Sequence, residues 1–185
     1  MKTYTFTICG LTRKIPLVHN SKRTLLANVT FLGDIELVNC LADKLAAICK
    51  DMKADFFVCP HVKVTPLVHG VALRLGHKRF VVLRKGVKPY MDSPVILRPL
   101  PDMPKHVQPL VINGPDARLL KEKNVIVIDD VISTGTTMRM VSHLMEMVGA
   151  RVICSFAVIR QGNTALTIPN LRSLYDIPIF KNDTV

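Results

Sequence analysis

Val125-Ile-Val-Ile-Asp129-Asp130-Val131-Ile132-Ser133-Thr134-Gly135-Thr136-Thr137 is the stretch that decides the fold. Its first four residues are all β-branched and apolar, with no polar alternation. Such a run marks a strand buried on both faces, the kind found in parallel sheets covered by helices. Two acids and a loop of small residues follow. From about Thr137 to Val148, Met138, Val141, Leu144, Met145 and Val148 recur on one helical face, and Gly149 closes the helix. In an open α/β sheet, a loop between strand and helix lies beyond the carboxyl end of the strand, where ligands bind.

The residue types in that loop select the ligand. Gly135 lets backbone N–H groups close round an anion, and the helix behind adds its N-terminal dipole. Ser133, Thr134, Thr136 and Thr137 offer hydroxyl donors. Asp129 and Asp130 are poor neighbours for a bare phosphate but good acceptors for sugar hydroxyls. A phosphate beside a vicinal diol is a ribose 5-phosphate. A general acid/base pair is disfavoured, because successive strand residues point to opposite faces. A Walker-type site would need a Lys between the Gly and the Ser/Thr, and none is there. The plain alternative is an ordinary strand–turn–helix with an acidic cap.

Outward from this stretch the pattern is βαβ. Thr3–Ile8 alternates like a half-buried strand, residues 9–11 form a turn, and residues 13–18 a second strand. Gly33 and Asp34 cap a helix whose face carries Ile35, Leu37, Val38, Leu41, Ala42, Leu45, Ile48 and Cys49. Phe56–Cys59 reads as a buried strand, residues 67–75 as a helix closed by Gly76, and residues 80–83 as a further strand. Right-handed crossovers make the sheet parallel. Residues 85–105 break the rhythm and read as a long loop with extended structure near Val95–Leu97. Leu110–Ile112 reads as a strand, Asn113-Gly114-Pro115 as a turn, residues 152–159 as the next strand and residues 173–180 as a short tail segment.

The bulk properties narrow the function. With 185 residues, 49% hydrophobic and 21% charged, the chain suits one folded domain, residues 1–185. No apolar run is long enough for a membrane helix, and the first ten residues lack a signal-peptide core, so a cytoplasmic location is expected. Cys9, Cys40, Cys49, Cys59 and Cys154 show no CxxC or zinc spacing and read as buried free thiols, with no permanent metal implied. The net charge is +11, but the basic residues are scattered and Trp is absent. An anionic small substrate explains the charge as well as a polynucleotide does, and nucleic acid is not the expected partner.

Residues 125–137 resemble the 5-phosphoribosyl-1-pyrophosphate (PRPP) motif of type I phosphoribosyltransferases: four apolar residues, two acids, then Thr-Gly-Thr-Thr. The chain resembles the adenine/purine branch most. Gly10-Leu-Thr-Arg13-Lys-Ile-Pro16-Leu is similar to its N-terminal hood, Leu32-Gly33-Asp34-Ile-Glu36-Leu37 to the start of its first helix, and Arg84-Lys85-Gly-Val-Lys88-Pro89 to the segment entering its flexible loop. Leu174-Tyr-Asp-Ile-Pro178-Ile-Phe180 is similar to its C-terminal hood. The resemblance implies an α/β fold with a mainly parallel sheet, hood elements about 1–32 and 170–185, and a mobile loop about 85–108. It implies transfer of ribose 5-phosphate from PRPP to a purine base, adenine first, with Mg²⁺ accompanying PRPP and a homodimer formed. Asp129 and Asp130 become the catalytic, ribose-binding candidates. Residues 133–137 become the 5′-phosphate loop. Lys63, Arg84, Lys85 and Lys88 become pyrophosphate ligands; a solvated basic loop is the plain alternative for the last three.

One segment departs from the branch. Where Glu-Ala-(Lys or Arg)-Gly is usual, this chain has His61-Val62-Lys63-Val64. Lys63 is kept, the acid is replaced by a histidine that titrates near neutrality, and the glycine by a residue that resists positive φ. A lone histidine is more often packed or solvated than catalytic. In residues 90–105 the only acids are Asp92 and Asp102, which also suit turns. A non-catalytic PRPP or nucleotide sensor on the same fold therefore stands as the second reading.

Overall fold

The computed structural model describes residues 2–99, 103–104, 107–162 and 168–182. Its centre is a five-stranded, all-parallel sheet in the order β10-β9-β8-β4-β5, formed by β4 (Phe56–Cys59), β5 (Val81–Val82), β8 (Asn124–Ile132), β9 (Arg151–Gln161) and β10 (Leu171–Ile177). The apolar run in β8 shows why the strand sits in the middle. Ile126 and Ile128 pack on one face with α1 (Ile35–Cys49) and α2 (Thr65–Arg74). Val125 and Val127 pack on the other with α3 (Gly114–Leu120) and α4 (Thr136–Met147). All four are fully buried. At about 25 cal/mol per Å² of apolar surface, each such side chain contributes about 1.5–3 kcal/mol.

A second, antiparallel sheet covers the α1/α2 face. It runs β1-β2-β3-β11, from β1 (Thr3–Ile8), β2 (Leu11–His19), β3 (Thr24–Ala27) and β11 (Phe180–Lys181). Ile8, Ile15, Ala27, Val29 and Phe31 join the core beneath it. Two polar ties fix this hood to the body. Arg13 pairs with Asp34 at 2.7 Å and with Glu36 at 2.8 Å, and the Tyr175 hydroxyl accepts the Cys9 N–H at 3.1 Å. Among the described residues of the 170–185 segment assigned to the hood, Phe180–Lys181 pairs with β3 and Asn182 bonds to the Lys22 and Arg23 carbonyls, whereas Leu171–Ile177 is a strand of the central sheet. A two-stranded ribbon of β6 (Val95–Leu97) and β7 (Leu110–Ile112) lies against the α3/α4 side.

Several expectations needed correction. Asn113-Gly114-Pro115 is not a turn but the start of α3, because a proline at the first helical positions loses no needed N–H. Gly114 is required there for another reason: a Cβ would come within 2.6 Å of the Asp92 and Ser93 carbonyl oxygens. Ile35 and Ile48 are not on the buried face of α1. They lie in its first and last turns, and Ile35 is 77% exposed. The strand expected over residues 125–128 extends to Ile132, so the acidic pair lies within β8 rather than after it. The cysteines are all free, but Cys9 and Cys40 are only half-buried.

Candidate functional site

The carboxyl ends of β8, β4 and β5 meet along one edge of the sheet, and every candidate residue hangs from that edge. After β8 the chain passes through residues 133–135 into α4. Gly135 caps the helix at φ 79°, a conformation that costs an L-residue about 1–2 kcal/mol, and its carbonyl accepts the Arg139 N–H at 3.0 Å. The Thr134 and Thr136 hydroxyls are 3.0 Å apart across the turn. The result is a small-residue bend backed by a helix N-terminus, suited to an anion.

Asp129 and Asp130 are buried, at 3% and 4% exposure. Strand alternation predicts carboxylates on opposite faces, yet they converge. Asp129 Oδ1 accepts the Asp130 N–H at 2.9 Å, and Asp130 Oδ1 accepts the Val131 N–H at 2.8 Å. Each carboxylate thus folds forward along its own strand toward the open edge. There both meet the loop behind β4: His61 Nε2 is 3.1 Å from Asp129 Oδ1 and 3.9 Å from Asp130 Oδ1. Lys63 Nζ is 2.8 Å from Asp130 Oδ2, without hydrogen-bond alignment, and donates to the Val29 carbonyl of the hood at 3.2 Å.

The loop behind β4 solves the problem posed by its missing glycine. His61 is extended, residues Val62–Val64 form a 3-10 turn, and Val64 sits at φ −90° as the cap of α2. No positive φ is demanded of it, and its side chain is buried in the core. The turn thereby aims His61 and Lys63 at β8. The hydrogen bond from Asp129 pushes the His61 pKa up, against an opposing push from burial. Burial raises the Asp129 carboxyl, and His61 opposes that rise.

Two cavities open on this edge and share a wall. One, of about 300 Å³, is lined by His61, Lys85, Thr134, Thr136 and Thr137 among others. The other, of about 650 Å³, is lined by His61, Lys63, Arg84, Lys85 and Lys88 with Val62 and Leu83. Arg84 is anchored by paired backbone hydrogen bonds to Val111, at 2.9 and 2.8 Å, while Lys85 and Lys88 are exposed. Ser133 lines neither cavity among the described residues. Asp92 lies outside both and is tied to α3, its carbonyl accepting the Gly114 N–H at 3.0 Å; Asp102 lies outside the described residues. His61 is the residue that sequence reasoning undervalued. The available signal was its position: just after a buried strand whose carboxyl end shares the sheet edge with the acidic pair.

His61, Asp129 and Asp130 bring three donor atoms within 4.8 Å of one another. In distance alone that suits a divalent cation. Here, however, the Lys63 ammonium already lies 2.8 Å from Asp130 Oδ2, beside the same donor atoms.

A model of the phosphoribosyl transferase domain matches residues 31–176, well over half of the chain. The chain belongs to the phosphoribosyltransferase family. This is a family of pentosyl-transferring enzymes with the type I fold, and the relatives place the chain near its purine branch. A hypoxanthine/guanine phosphoribosyltransferase of Methanosarcina mazei is 29% identical over 138 residues, 75% of this chain and 68% of that protein. An adenine phosphoribosyltransferase of Clostridium botulinum is 30% identical over 124 residues, 67% of this chain and 69% of that protein. The structure of adenine phosphoribosyltransferase from Thermoanaerobacter pseudethanolicus superposes with a TM-score of 0.71 at 21% identity, covering 88% of this chain and 95% of that one. That from Leishmania donovani gives 0.68 at 18% identity, covering 94% and 76%. The phosphoribosyltransferase therefore has the parallel sheet and hood expected of it. Among the described residues no helix is long and apolar enough to cross a membrane.

Proposed function

We propose that this phosphoribosyltransferase transfers ribose 5-phosphate from PRPP to a purine base, adenine first, releasing pyrophosphate and a purine nucleoside 5′-monophosphate. The observation that carries this reading is the shared wall between the two cavities, with the buried acidic pair behind it. One cavity has the hydroxyls and backbone bend for the 5′-phosphate. The other has the cations for a pyrophosphate.

In this reading residues 133–137 hold the 5′-phosphate, and Asp129 and Asp130 accept hydrogen bonds from the ribose 2′- and 3′-hydroxyls. Lys63, Arg84, Lys85 and Lys88 receive the pyrophosphate. Lys63 exchanges its contact with Asp130 for the ligand as ribose hydroxyls arrive at the carboxylate. Charge builds on the departing anion and on an oxocarbenium-like C1, so positioning and electrostatic stabilisation supply most of the acceleration, with no covalent nucleophile. Mg²⁺ arrives with PRPP and offsets the pyrophosphate charge. By the family resemblance the segment entered at Arg84 would close over the site and exclude water. A homodimer in the cytoplasm completes the reading.

The test is pyrophosphate release from Mg-PRPP with adenine, guanine, hypoxanthine and xanthine in turn, with the matching monophosphate identified. Turnover with adenine in preference to the others supports the full reading, and preference for a 6-oxopurine moves the substrate within it. Binding of PRPP without turnover of any base replaces it with the sensor reading, to which the replaced residues His61 and Val64 lend support.

A further inference from the structure

Two of the five cysteines are half-buried, and they lie together across the seam between hood and body. Cys9 is the first residue of the two-residue turn that joins β1 to β2, where Ile8 pairs with Leu11. Its φ is 53° and that of Gly10 is 77°, a turn in which Asn, Asp or Gly is usual at the first position. Cys40 stands on α1, and its thiol donates to the Cys9 carbonyl at 3.8 Å. The Cys40 pKa is raised, and the first cause is a hydrogen bond with the Cys9 side chain, so the two sulfurs are in contact. The other three thiols differ. Burial pushes Cys49 and Cys59 up to about 12 and raises Cys154 as well, which keeps them protonated and inert.

Two further side chains complete the cluster. The Tyr175 hydroxyl lies 3.7 Å from Cys9 Sγ as a donor, and Lys44, one turn after Cys40, donates to that hydroxyl at 3.1 Å. The Lys44 ammonium favours a thiolate at Cys40, and Asp43 opposes it. We propose that Cys9 and Cys40 are a modification site: they form a reversible disulfide, by exchange with a low-molecular-weight disulfide such as oxidised glutathione, that ties the hood turn to α1. The Cys9 thiolate attacks one sulfur of the oxidant, whose S–S bond breaks, and one thiol leaves with the proton that Cys9 gave up. The Cys40 thiolate then attacks the Cys9 sulfur of the mixed disulfide and displaces the second thiol, which takes the Cys40 proton. Both protein thiols are oxidised, and one small disulfide is reduced to two thiols. Cys9 and Cys40 line neither cavity of the candidate site, so this site goes beyond the transferase reading and does not depend on it.

The experiment oxidises the full-length protein with glutathione disulfide, then denatures it, alkylates the remaining thiols and maps the tryptic peptides by mass. Trypsin leaves each cysteine on its own peptide, Cys9 within residues 3–13 and Cys40 within residues 24–44. These two peptides are expected to be linked, with Cys49, Cys59 and Cys154 alkylated, and dithiothreitol should restore all five thiols. The link closes the chain between residues 9 and 40, so the oxidised protein should unfold about 5–10 °C higher than the reduced one. Cys40→Ser should stop at glutathione on Cys9 and show no such rise. Four results in the wild type would overturn the pairing: glutathione on each cysteine, a link to a different cysteine, a disulfide between two chains, or two unreacted thiols. This mapping needs the wild-type protein only. A linked protein whose unfolding midpoint does not rise would overturn the tie between hood and body.

Discussion

The two halves of the candidate site would hold anions by opposite means. The loop after β8 uses neutral parts: a left-handed Gly135, threonine hydroxyls and the first turn of α4. The loops after β4 and β5 use charge: an imidazole, three lysines and an arginine, mostly on exposed side chains. The neutral half is set by backbone geometry. The charged half needs counter-ions, and the structure supplies them from the same two carboxylates that would receive the sugar. Asp129 and Asp130 are therefore the hinge of the comparison. Asp129 stands 3.1 Å from His61 Nε2 and Asp130 stands 2.8 Å from Lys63 Nζ, contacts that the proposed reaction would exchange for ribose hydroxyls.

The strongest way to break this comparison is to neutralise the hinge. Asp129→Asn together with Asp130→Asn keeps the side-chain shape and removes both charges. Hydrogen bonds to charged groups contribute about 1.5–3 kcal/mol each, so PRPP affinity should fall by about a hundredfold or more. Calorimetric titration with Mg-PRPP measures it, and circular dichroism checks the fold. Affinity equal to wild type would mean that the acidic pair does not hold the ribose. A smaller effect is expected from Gly135→Ala, which touches the neutral half alone. Forcing an L-residue to φ 79° costs about 1–2 kcal/mol, so ribose 5-phosphate should bind about tenfold more weakly while inorganic pyrophosphate binds as before. Equal losses for both ligands would show that the halves are not independent.

The same contrast governs what could be read from the sequence. The neutral half is one contiguous stretch, and its strand, loop and helix were legible because the chemistry follows the order of the chain. Phe56–Cys59, Val95–Leu97 and Leu110–Ile112 were legible too, since short apolar runs signal buried strands wherever they fall. The charged half is assembled from residues 61–63 and 84–88, brought to β8 by parallel pairing that no local pattern encodes. Hence Lys63 and Arg84 came from resemblance, and the link between His61 and Asp129 did not appear at all. The convergence of the two carboxylates was missed because alternation describes Cβ directions, whereas short side chains bonded to the next amide bend away from that rule. β3 and β10 were missed for a plainer reason. Thr24–Ala27 has just two large apolar residues, Leu25 and Leu26, and Leu171–Ile177 carries Arg172, Ser173 and Asp176 at a sheet edge, so neither shows a sustained apolar run.

The smallest effect expected, and the one that sharpens the comparison most, concerns stability in the absence of ligand. His61 has a raised pKa in the folded protein because Asp129 accepts its hydrogen bond. A group raised in this direction stabilises the fold fully below its unfolded value, about 6.5 for histidine, and the contribution is lost as pH rises through the folded value. Burial raises the Asp129 carboxyl, so its cost appears as pH climbs past the unfolded value of about 3.9 and is complete above the folded one. Urea unfolding of wild type and H61Q across pH 5–9 reads the histidine together with its effect on Asp129, whose rise it opposes. The wild type should be the more stable at pH 5, and the gap should narrow as pH rises. A gap independent of pH would mean that the ring packs against β8 without carrying a proton to Asp129. The charged half would then depend on its lysines and Arg84 alone.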